Sequence, residues 1–155
     1  MPNFLVATTT ATLVASTAYT ALELRPPAGV AAKIVKWWVD FNSATSTDKP
    51  VLVQAGKFSA AVTTATAANP TPLSFIGSDT TASTAASVLT TAEGAGTASG
   101  QVESHYVLPQ GGMYVAWETD DTALWVAPGT FYRIRLTPGS ALTTTTANVG
   151  AVWIE

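Results

Sequence analysis

Few side chains in this chain could do chemistry, and they are scattered. Of 155 residues, one is histidine (His105) and none is cysteine. A Ser-His-Asp site would need His105, which falls in the alternating stretch Val102 to Leu108. No strand-to-helix elbow presents a nucleophile nearby. One imidazole without a thiolate cannot supply the usual zinc ligand set. Glu118, Asp120 and Asp121 cluster in sequence, but they lack the dense Asp/Asn/Gly spacing of a calcium loop and read as a solvated turn. Two acids close together on a turn are weak grounds for a glycosidase pair. Gly94, Gly96 and Gly100 form a glycine-rich run with no strand-to-helix transition to cradle a phosphate. No catalytic residue, metal or cofactor is expected, and the chain reads as non-enzymatic.

The five tryptophans, Trp37, Trp38, Trp117, Trp125 and Trp153, are more informative. Neighbouring residues of a strand point to opposite faces, so Trp37 and Trp38 cannot share one core. The second ring meets solvent or a partner unless both faces of the strand are covered within the monomer. An outward Trp is a typical interface anchor, and in a β-sandwich it can also stack on a sugar ring. Trp38 and Trp125 are therefore candidate partner contacts. Asn3, Phe4, Leu5 and Val6 are a further candidate. They read either as an extended N-terminal arm (residues 1–9) that adds a strand to a neighbour's sheet, or as an intramolecular first strand.

The elements that must position these residues are strands. Val30 to Asn42 alternates strongly, with Val35, Trp37, Val39 and Phe41 on one face and Ile34, Trp38 and Asp40 on the other. A polar turn ending at Pro50 leads to Val51 to Phe58, with Val51, Val53 and Ala55 inward. Earlier, Ala18 to Leu24 alternates, and Arg25-Pro26-Pro27-Ala28-Gly29 stops it because proline cannot donate to a ladder. Residues 59–100 are rich in Ala, Thr and Ser and read as a long excursion. Short strands are expected there near Leu73 to Ile76 and Ala86 to Thr91, and the Gly94 to Gly100 run reads as flexible linker. Strands resume at Val102 to Leu108, Met113 to Glu118, Leu124 to Ala127, Phe131 to Thr137 and Val149 to Glu155. In the fourth of these, Tyr132, Ile134 and Leu136 point inward and Arg133 and Arg135 outward. About eight strands, with turn signals roughly every 10 residues, indicate one all-β domain, an antiparallel sandwich or barrel.

Composition narrows the partner. The apolar fraction, 47%, is ordinary, but only 11% of residues are charged, against about 25% in typical domains. Charge is a common means of keeping surfaces unassociated, so this exterior suits contact with protein. The net charge is −3 and the pI about 5.0. The cations are spread over several strands, so no clustered basic face is expected for nucleic acid. Met1 to Ala18 lacks the positive start and apolar core of a secretory signal. No stretch approaches the ~20 apolar residues of a membrane helix.

Lys33 to Asn42 with its Thr/Ser turn and Pro50-Val51-Leu52-Val53, Val126-Ala127-Pro128-Gly129 with Tyr132 to Leu136, and the closing Val152-Trp153-Ile154-Glu155 together resemble small β-rich proteins of tailed bacteriophages. The resemblance is to capsid decoration (cement) proteins, and it leaves residues 59–100 uncovered. It implies a jelly-roll-like sandwich, a homo-oligomer with a trimer favoured, bound to the major capsid protein on the outer capsid surface of the virion. It implies no catalytic residues. The alternative expectation is a receptor- or glycan-binding sandwich module of a tail or fibre, built on an aromatic platform around Trp38 or Trp125.

Overall fold

In the computed structural model the described residues are 4–60, 66–68, 71–72, 84–88, 98–116, 124–143 and 145–155. Among them are twelve β segments and no helix. In chain order these are Phe4–Leu13 (β1), Tyr19–Arg25 (β2), Ala32–Asn42 (β3), Val51–Phe58 (β4), Thr66–Ala68 (β5), Thr71–Pro72 (β6), Ala85–Val88 (β7), Ala98–Val107 (β8), Gly112–Ala116 (β9), Leu124–Val126 (β10), Phe131–Thr137 (β11) and Thr145–Ile154 (β12). They form two antiparallel sheets. The first runs β10-β3-β12-β1-β6, with β9 following β10 along the same edge of β3. The second runs β5-β7-β2-β11-β4-β8.

The two sheets stack as a sandwich because each contributes one apolar phase. Ile34, Trp37, Val39, Val149, Ala151 and Trp153 of the first sheet meet Leu22, Leu24, Val53, Tyr132, Ile134 and Leu136 of the second in one buried cluster. Burying each large member contributes about 1.5–3 kcal/mol relative to exposure. The inward assignments of Val51, Val53 and Ala55, and of Tyr132, Ile134 and Leu136, agree with this core.

The phase of β3 differs from strict alternation. Ile34, Trp37 and Val39 are fully buried and Phe41 is buried with them, while Val35 is only partly so. The cause is a register shift in the β12–β3 ladder, where Val152 opposes Lys36 but Trp153 opposes Ile34. The unpaired Val35 forms a bulge, which reverses the faces on its N-terminal side. A second departure concerns Arg133, which lies off the core on β11 as expected from its phase, yet is completely buried, as is Glu23 of β2. The two pair at 2.8 Å.

Residues 4–9 do not form an arm but belong to β1. Phe4, Leu5 and Val6 oppose Ile154, Trp153 and Val152 on one side, and Leu5 and Val6 oppose Pro72 and Thr71 on the other. The ladder with β12 takes up their backbone, so the intramolecular reading is the one observed. Asn3 lies outside the described residues. Within 59–100, β7 agrees with the strand expected from Ala86, and β5 and β6 add short rungs. Gly100 belongs to β8, which starts at Ala98 rather than Val102, so the last part of the glycine run is strand and not linker. Leu73 to Ile76, Gly94 and Gly96 lie outside the described residues.

Turns close the two poles. At one, Gly129 adopts φ 74°, a conformation that L side chains rarely take, and its N–H donates to the Pro26 carbonyl at 3.2 Å. At the other, Asp48 ties its own loop to the loop before β12. Its Oδ2 accepts from Ser43 Oγ at 2.6 Å and from Thr143 Oγ1 at 2.7 Å, and its Oδ1 accepts from the Thr143 N–H at 3.0 Å. The Ser43 N–H in turn donates to the Pro109 carbonyl at 3.0 Å. The Ser43 hydroxyl outweighs burial and, helped by Thr143, holds Asp48 below the ordinary aspartate range.

Candidate partner-binding surface

Two surfaces stand out when outward residues are followed strand by strand. The first is the solvent side of the β9/β10–β3 edge. Trp37 enters the core, so Trp38 points away from it and lies over β12. The strand there carries Gly150, opposite Trp38. A methyl group at that position would overlap the indole ring, so glycine is what lets the ring lie flat on the sheet. Tyr114 of β9 sits on the other side of Trp38, and Trp125 of β10 sits beside Lys33. Tyr114 is 61% exposed and Trp125 50%. Two lysines lie against these rings: Lys33 Nζ is 5.8 Å from the Trp125 ring centroid and Lys36 Nζ is 5.9 Å from that of Tyr114. Cation–π contacts at this distance orient the ammonium groups beside the ring faces.

The second surface is the β8 edge. β4 pairs with one side of β8, and among the described strands none pairs with the other. Tyr106 lies beside Leu52 on the outward phase and is 77% exposed, and Leu108, just beyond the strand, is 58% exposed. On the inward phase Glu103 and His105 oppose Ala55 and Val53. An inward-pointing charge such as Glu103 discourages a further strand from adding to an edge. Tyr106 and Leu108 are the large apolar side chains that this edge exposes among the described residues.

The candidate residues separate accordingly. Trp38 and Trp125 lie on one outward face, brought together because β10 pairs with β3, while Phe4, Leu5 and Val6 belong to the β1 ladder elsewhere in that sheet. Trp153 is core, and Trp117, Glu118, Asp120 and Asp121 lie outside the described residues. His105 is exposed on the edge strand. Among the described residues no group of three or more His, Cys, Asp or Glu is placed to hold a metal ion. A depression of about 220 Å³ beside Asp48 and Leu142 opens at the loop pole, but both Asp48 oxygens are already engaged there.

Sequence reasoning missed Tyr114, Tyr106, Leu108 and the lysine partners Lys33 and Lys36. A signal existed for the first: Met113 and Val115 alternate with Tyr114, which puts an aromatic ring on the polar phase of a short strand. The pairing of that strand with Trp38 is non-local and left no such trace.

No protein-family model, curated protein or solved structure matches this chain.

Proposed function

We propose that this protein is a non-enzymatic virion component, a capsid decoration protein that binds the outer capsid surface and stabilises contacts between major capsid protein subunits. The observation that carries the reading is the exposed pair Tyr106 and Leu108 at a sheet edge where no described strand pairs, in a chain that is only 11% charged. Aromatic side chains are enriched in protein interfaces and charges are depleted from their cores. Strand order lends support. The strand orders β1-β12-β3-β9 and β2-β11-β4-β8 are compatible with a jelly roll, an architecture used by viral coat and lectin domains. Binding only the assembled shell stabilises that shell by mass action. Assembly as a homotrimer belongs to the same reading and is tested by light scattering of the purified chain.

The docking test is co-sedimentation of the purified chain with shells that lack it. Saturable binding is expected, weakened about tenfold or more by Tyr106→Ser combined with Leu108→Ser, as for an interface anchor. Loss of binding must come without loss of the thermal transition, which exposed positions allow. Failure of the wild-type chain to co-sediment, or full binding by the folded double variant, refutes the assignment. A second reading, glycan recognition, is favoured specifically by the aromatic and lysine residues along β3.

A further inference from the structure

From the row of rings and lysines along β3 we infer a binding strip for an acidic oligosaccharide, separate from the β8 edge and independent of shell docking. Three observations carry it. Trp125, Tyr114 and Trp38 share one outward face, and the first two are at least half exposed. Lys33 and Lys36 lie between them, each with its ammonium group within 6 Å of a ring centroid. Asp40, exposed on the same face opposite Gly112, ends the row with a carboxylate. From Lys33 to Trp38 the strand covers about 15 Å, enough for an extended ligand of a few sugar units.

The chemistry selects the ligand class. Ring faces are electron-rich and present flat apolar area, which suits the C–H face of a pyranose. The lysines offer charge-assisted hydrogen bonds to a sugar carboxylate or sulfate, and Asp40 accepts from sugar hydroxyls. Lysine is depleted from protein–protein interfaces, so lysines interleaved with the rings fit a protein partner poorly. Single-stranded nucleic acid needs a continuously positive groove to follow its backbone. Here there are two cations, a carboxylate at one end and a net charge of −3 on the whole chain. A ligand rich in hydroxyls with sparse negative charge matches this combination of rings, cations and carboxylate.

The test uses intrinsic tryptophan fluorescence of the full chain, titrated with tetragalacturonate, a hyaluronan tetrasaccharide and sialyllactose. The methyl ester of tetragalacturonate serves as the uncharged counterpart, and an oligothymidylate as the competing class. Saturable binding of at least one acidic sugar is expected. Trp125→Ala should weaken it tenfold or more, with heat capacity scans verifying the fold. Lys36→Gln should weaken binding of the acid severalfold without changing binding of its ester, and rising salt should act as Lys36→Gln does. No binding of any of the three acidic sugars, binding indifferent to Trp125→Ala, or tighter binding of the oligothymidylate would each overturn the assignment. Shell co-sedimentation is a separate readout, so failure of one proposal leaves the other standing.

Discussion

Asp48 shows how much one carboxylate can organise. Its oxygens accept from two hydroxyls and one N–H, joining the loop before β4 to the loop before β12. These donors favour the charged form, so the folded-state pKa lies below the unfolded one. The stabilisation is then fully present above the ordinary aspartate pKa of about 4 and disappears as pH falls through the lower folded value. Thermal midpoints measured from pH 7 to pH 2 should therefore drop on the acid side. In Asp48→Asn the midpoint should already be lower at neutral pH and the acid limb flatter, because the amide offers an N–H₂ where Thr143 also donates. Parallel pH curves for the two proteins would show that Asp48 contributes nothing to acid stability.

The outer side of the second sheet is organised by element pairing. Arg133 of β11 opposes Glu23 of β2 and Gly56 of β4. Its Nε donates to Glu23 Oε2, its Nη2 donates to the Ala60 carbonyl, and its guanidinium lies 4.9 Å from the Phe58 ring centroid. Arg25 completes the group, meeting Glu23 Oε1 at 2.6 Å and stacking 5.4 Å from the Phe131 ring centroid. Removing one partner of a buried pair leaves an uncompensated charge and costs about 3–5 kcal/mol. Glu23→Leu should lose that much in chemical denaturation, and Glu23→Leu with Arg133→Met should recover part of it. A double variant no more stable than the single one would show that the pair does not act as a unit. Alternation placed Arg133 on the correct side of its strand, but it could not reveal that this side is buried. Phase is a local property, whereas burial depends on what the rest of the chain lays over the sheet. The bulge at Val35 escaped for a related reason: an extra residue is visible only against the partner strand. The strands themselves were legible because β-branched and aromatic residues alternate with polar ones and Pro or Gly punctuates them.

For the whole molecule, the decisive pairing joins the two ends of the chain. β1 and β12 run together over ten residues without a register shift, from Phe4 opposite Ile154 to Leu13 opposite Thr145. A contact between strands so far apart in sequence forms late and slowly, because the chain entropy must be given up first. Connecting Glu155 to Met1 through a short Gly/Ser linker, and opening the chain between Ala28 and Gly29, turns β1 and β12 into a hairpin. That permutant should reach the same sandwich and refold faster than the parent in stopped-flow tryptophan fluorescence. Equal or slower refolding would remove this ladder from the rate-limiting step. The site was less legible than the fold for the same long-range reason. Trp38 and Trp125 were recognisable as aromatic residues in need of a role, but their shared face depends on β10 pairing with β3 across some ninety residues of chain.

The same ladder sets a polarity on the molecule. Phe4 and Ile154 stand side by side at one extremity, and the Asp48 loops occupy the opposite one, next to Leu13 and Thr145. A tether or cargo fused near Phe4 or Ile154 thus departs in a common direction, and the far tip with its Thr- and Ser-rich loops stays unencumbered.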